Sequence, residues 1–210
     1  MKIGVLGISA NPPHRGHEML ITAIMKSERF DTLFLILTGN RKDKQYVHPD
    51  HRVAMAESAF GRFRMHPLFK TEFIIRYSDV YSENTPTITL LRNMQEEFPG
   101  AQLTFIVGSD LLYPQKDKKG KCEIVTDWIE GKQLLEEFNL LIIPRKDYPI
   151  YEIPERYIDK QDILNEIIPN IASSTVRYCI ENGVRFIEFV SGDVATYIYK
   201  HKLYEINRVE

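Results

Sequence analysis

The sequence predicts an α/β fold, a doubly wound parallel sheet, and three observations point to it. Short apolar runs such as TLFLILTG alternate with amphipathic stretches, the pattern of strands covered by helices on both faces. Gly and Pro punctuate the junctions instead of gathering into linkers. A chain of 210 residues is long enough to bury a sizeable core. We therefore expect one domain over residues 1–210, with a small helical C-terminal portion over about 173–210.

Residues 2–8 read as a buried strand, and 16–27 as an amphipathic helix that follows a loop with two prolines. TLFLILTG, 32–39, reads as a second strand, and HPDHRVAMAESAF opens a second helix with Pro49 and Asp50 near its first turn. TEFIIRYS follows as a strand, TPTITLLRNMQEEF as a helix begun by Thr-Pro, and QLTFIVGSD as a strand ending in Gly-Ser-Asp. FNLLIIPR, 138–145, supplies a fifth strand. Ligands of such sheets bind beyond the carboxyl ends of the strands. Two stretches break the rhythm: 113–128 gathers Lys116, Lys118, Lys119 and Lys121 around a glycine and reads as an exposed loop, and from Ser173 onward two short helices are expected.

A net charge of −2 with 27% charged residues describes a nearly neutral surface, so nucleic acid is not an expected partner and the lysine run reads as a solvated face. Cys122 and Cys179 stand far apart, outside any Cys-x-x-Cys spacing, as two free thiols of a reducing compartment do. MKIGVLGIS is too short for a signal peptide or a membrane span, so no membrane partner and a cytoplasmic location are expected. Association with further copies of the chain is left open.

The chemistry concentrates in GISANPPHRGH, residues 7–17. At the start of a helix that follows a strand, His14 and His17 meet free backbone N–H groups and the positive end of a helix dipole, a setting for an anion such as phosphate. Two prolines stiffen the loop, and Gly16 lets a ligand approach the backbone. Metal ligation is the weaker reading: His48 and His51 repeat the spacing, but neither pair comes with the full set of nearby Cys, Asp or Glu ligands that zinc sites usually show. A core position for these histidines remains an alternative. In NIASSTVR, 170–177, hydroxyls at a helix start and an arginine one turn later supply donors to phosphate oxygens.

These stretches carry a resemblance. The first loop resembles the G-x-[ST]-x-[ND]-P-x-H-x-G-H signature of the nucleotidyltransferase superfamily, and NIASSTVR is similar to its I-S-S-T-x-[IV]-R motif, with Ile8, Ala10 and Ala172 as departures. HRVAM, TPTIT, FIVGSDLL, Trp128 before a leucine-rich helix, LLIIPR and the closing DVATYIYKHKLY resemble, in that order, the nicotinate or nicotinamide mononucleotide adenylyltransferases. The likeness runs from residue 1 to about residue 204.

The resemblance implies a Rossmann-like nucleotidyltransferase fold and an adenylyltransferase of NAD biosynthesis, joining ATP to a pyridine mononucleotide with release of pyrophosphate. It implies His14, His17 and Arg177 as the catalytic residues. Gly7, Ile8, Ser9, His17, Gly108, Asp110, Arg145, Ser173, Ser174 and Arg177 would meet ATP, and Asn11, Lys44, Thr89 and Trp128 the mononucleotide. No protein metal ligands are implied; magnesium would come with ATP, held by phosphates and water. Sister transferases making dephospho-coenzyme A or a CDP-alcohol, and a non-catalytic nucleotide-binding domain, are the rival readings. Acid and amide forms of the substrate stay unresolved, because loop geometry separates them.

Overall fold

The computed structural model describes residues 1–40, 45–158, 161–166 and 168–205. The chain runs through β1 (Lys2–Ile8), α1 (Arg15–Lys26), β2 (Thr32–Leu37), α2 (Pro49–Phe60), β3 (Glu72–Arg76), α3 (Thr87–Glu97) and β4 (Gln102–Gly108). Three short helices follow, α4 (Ser109–Leu112), α5 (Glu123–Asp127) and α6 (Gly131–Glu137). Then come β5 (Asn139–Ile143), α7 (Glu155–Ile158), β6 (Asp162–Ile163), α8 (Ser173–Glu181) and α9 (Gly192–His201).

The strands form one parallel sheet in the order β3-β2-β1-β4-β5-β6. The two-residue alternation of each strand assigns its side chains to one side or the other. Ile3, Val5, Phe34, Ile36, Leu140 and Ile142 face α3, α5 and α6. Leu6, Ile8, Leu33, Leu35, Leu37, Leu141 and Ile143 face α1, α2, α8 and α9. Both faces being buried explains why the strands read as continuous apolar runs.

Two expectations need correction. The stretch 113–128 is not an exposed loop throughout: Gln115 bridges Lys121, and then α5 forms with Cys122 and Ile124 fully buried. Its lysines mask a single apolar turn. The sheet also gains β6, whose two residues are too few to show a periodicity. At the C-terminal end of α8, Gly183 takes φ +65°, and the N–H groups of Val184 and Gly183 donate to the carbonyls of Cys179 and Ile180, a Schellman stop that frees the chain to turn into α9. Among the described residues no helix is long and apolar enough to cross a membrane.

β1 lies between β2 and β4, so successive crossovers leave it in opposite directions and a crevice opens above its carboxyl end. A cleft of about 560 Å³ occupies that position, lined by the ends of β1, β2, β4 and β5.

Candidate active site

His14 is the N-cap of α1 in extended backbone, and its N–H donates to Nδ1 of His17, 3.3 Å away. The two rings stack with centroids 3.6 Å apart. Burial pushes the His14 pKa down to about 4, with Arg145 adding to the effect. The same burial, then His14 and Arg145, holds His17 well below the ordinary histidine value. Both rings are therefore neutral near pH 7. Because Nδ1 of His17 accepts a bond, this tautomer carries its proton on Nε2, and His17 lines the cleft. Nδ1 of His14 is buried without a hydrogen-bond partner. Gly16 leaves the ring its room: a Cβ there would stand 3.1 Å from that same nitrogen.

Gly7, Ile8, Ser9, Gly108, Asp110, Arg145 and Trp128 join His17 on the cleft wall. The buried Ser109 ties β4 to β5, donating from Oγ to the Tyr148 carbonyl at 2.7 Å and accepting from the Arg145 N–H at 2.9 Å. That brings Arg145 Nε to 3.7 Å from Asp110 Oδ1, an oxygen with no hydrogen-bond partner. Position 108 must be glycine for this arrangement, since a Cβ would lie 2.1 Å from the same oxygen. At the other end, the Trp128 indole N–H donates to Glu123 at 3.5 Å and its ring meets Phe105 edge to face. Thr85, Pro86, Thr87 and Leu90 also line the cleft, whereas Thr89 is exposed on α3 and does not.

The NIASSTVR motif reaches the first loop from behind. Ser173 Oγ donates to the Pro12 carbonyl at 2.8 Å, and Arg177 Nη1 to the Asn11 carbonyl at 2.7 Å, while Ser174 is exposed. Asn11 is 2% exposed, and its side-chain amide donates to Gln45 and accepts from Val47 and Tyr204, so it braces the loop rather than facing the cleft. Lys44 lies outside the described residues.

Sequence reasoning missed Arg52, fully buried in α2, with Nε on the Ser9 carbonyl at 2.9 Å. The HRVAM stretch marks this arginine, but an arginine near the start of a surface helix reads as solvated, and its inward contacts are not visible in the sequence. Tyr204 meets Asn11 across the fold, a partner distant in sequence, and the Tyr46 ring lies under the Arg52 guanidinium. Among the described residues no group of three or more His, Cys, Asp or Glu is arranged to hold a metal. His51 instead bonds Tyr197 at 3.0 Å and packs near His201, joining α2 to α9.

No family model matches the chain. A probable nicotinate-nucleotide adenylyltransferase of Oceanobacillus iheyensis is 24% identical over 210 residues, covering 99% of this chain and 98% of the relative. The nicotinate-nucleotide adenylyltransferase of Bacillus subtilis is 22% identical, covering 97% of this chain and 98% of its own. The chain is a relative of the nicotinate-nucleotide adenylyltransferases. Its fold agrees with that kinship: Plasmodium falciparum nicotinic acid mononucleotide adenylyltransferase, solved in complex with NaAD, superposes with a TM-score of 0.77 at 24% identity, covering 97% of each chain. Beside these adenylyltransferases, the present chain has the Rossmann-like nucleotidyltransferase architecture over nearly its whole length.

Proposed function

We propose that this protein transfers the adenylyl group of ATP to nicotinate mononucleotide, forming the dinucleotide and pyrophosphate in NAD biosynthesis. The observation that carries the reading is the neutral His14–His17 stack at the head of α1, opening on a cleft that the Trp128 indole, Thr85 and Thr87 also line. A phosphate-binding loop and a flat aromatic surface within one cleft suit a pair of nucleotides.

In this reaction an oxygen of the mononucleotide 5′-phosphate attacks the α-phosphorus of ATP, and the bond to the bridging oxygen of pyrophosphate breaks. The attacker is already anionic, so no general base is required, and the protein's work is to align two anions and offset their repulsion. Orientation of reactants supplies up to about 7–11 kcal/mol of barrier reduction. His17 donates Nε2–H to an oxygen of the reacting phosphate, with His14 behind it as the ring that holds its orientation. Gly7, Ile8 and Ser9 let the triphosphate lie against the loop backbone. Arg145 adds positive charge, and Asp110, on the cleft wall beside it, takes a ribose hydroxyl. Ser173 and Arg177 act by fixing the loop carbonyls they bond. Trp128 stacks on the pyridine ring in the cleft that Thr85 and Thr87 also line.

Magnesium fits as a companion of the phosphates, since the described residues form no cage of their own and this ion keeps its waters where phosphate oxygens are available. Bound so, it would neutralise charge on the departing pyrophosphate. Pyrophosphate release with ATP, magnesium and, in parallel, nicotinate mononucleotide, nicotinamide mononucleotide or phosphopantetheine tests the proposal. We expect release with nicotinate mononucleotide; release with phosphopantetheine alone would assign the chain to the sister reaction.

A further inference from the structure

Arg52 is a cation with 0% exposure, and among the described residues its hydrogen-bond acceptors are neutral: the Ser9 carbonyl at 2.9 Å, Asn40 Oδ1 at 3.2 Å and the Thr38 carbonyl. Its guanidinium lies 4.7 Å from the centre of the Tyr46 ring. Burying a cation is costly unless its N–H groups are all used. Those acceptors belong to two separate stretches, the first loop beyond β1 and the segment beyond β2, and Ser9, Thr38 and Tyr46 all line the cleft. The Ser9–Ala10 peptide is trans, so with its carbonyl turned onto Arg52 its N–H points the opposite way. Ala10 is held at φ +47°, a left-handed conformation that an L-residue keeps only when its surroundings fix it.

We propose that Arg52 is a positioning residue for nucleotide binding. It clamps the Ser9–Ala10 peptide so that the Ala10 N–H is offered to a phosphate of ATP, and it ties that loop to the end of β2. The inference rests on the reading of the cleft as a nucleotide site. The planar fork is what the clamp uses, because one guanidinium reaches both carbonyls and the amide oxygen, and a lysine ammonium of equal charge does not.

The test compares Arg52→Lys with Met55→Ala, a change at a fully buried core position of the same helix that is expected to lower thermal stability as well. Three quantities are measured: the dissociation constant of a non-hydrolysable ATP analogue with magnesium, kcat, and the KM for nicotinate mononucleotide. For R52K we expect analogue affinity to fall about 10-fold or more and kcat about 10²-fold, with the mononucleotide KM within about threefold of the wild type. M55A should stay within about twofold in all three. Analogue affinity retained by R52K, or lost equally by M55A, overturns the proposal. A wild type that binds the analogue but releases no pyrophosphate with any acceptor refutes the reaction alone, and the affinity comparison still decides the clamp. A wild type that does not bind the analogue refutes both.

Discussion

At the residue scale, the neutrality of the two histidines sets what they do. A neutral His17 with Nδ1 occupied is a donor through Nε2 alone, so it binds a phosphate oxygen there while Nδ1 keeps its bond from the His14 N–H. His17→Ala should lower turnover about 10²–10³-fold, the scale of removing one preorganised donor, with the melting temperature little changed; unchanged turnover would remove His17 from the reaction. The pKa shifts make a second prediction. In the folded chain His14 titrates near 4 against 6.5 when unfolded, so the unfolded state binds more protons between those values. Stability from this burial is complete above about pH 6.5 and is lost as the pH falls toward about 4. Urea unfolding of the ligand-free protein should therefore lose more stability between about pH 7.5 and about pH 5 in the wild type than in His14→Gln, and parallel losses would contradict the assignment. The histidines were legible in the sequence because their motif is contiguous. The role of Arg52, the arginine of HRVAM, was not, since what makes it important is the pair of carbonyls it meets through the fold.

At the scale of elements, the parallel strands and the main helices were legible because each carries several turns or pleats of one periodicity. The short pieces were not, and they shape the pyridine end of the cleft. Trp128 stands between α5 and α6, which pack so closely that a Cβ on Gly131 would lie 1.7 Å from the Ile124 carbonyl oxygen. That oxygen is backbone, so the contact is relieved only by moving a helix. Gly131→Ala should cost about 1–3 kcal/mol, the usual penalty of overpacking, and should raise the mononucleotide KM more than that for ATP. Thermal unfolding and steady-state kinetics check both parts; a normal KM in a destabilised variant would separate the α5–α6 contact from ring stacking. Thr85 and Thr87 line the cleft and Thr89 does not: the sequence motif marks the start of α3 but not which of the threonines around it turn inward. That choice depends on where α3 starts, and helix starts are the least legible feature of a sequence.

At the scale of the whole molecule, the last described helices close back on the first loop. Tyr204, 193 residues after Asn11, donates its hydroxyl to the Asn11 side chain at 2.9 Å, and burial pushes its own pKa up. α8 adds Ser173 and Arg177 to the same turn, so the C-terminal portion completes the loop that holds the histidines. Tyr204→Phe should lower stability by about 1 kcal/mol, the net worth of one hydrogen bond, with turnover following only through the loop's order. Chemical denaturation reads the first effect, and an unchanged midpoint would show that the bond contributes nothing.

The account's central claim is a direct transfer between two nucleotides in one cleft, and ATP labelled at the α-phosphorus tests it most directly. Incubated with magnesium and nicotinate mononucleotide, the wild type should move the label into the dinucleotide with none retained on the protein, and His17→Ala should slow that movement without changing where the label goes. Label remaining in ATP with nicotinate mononucleotide present, or trapped on the chain as a covalent adduct, would contradict it.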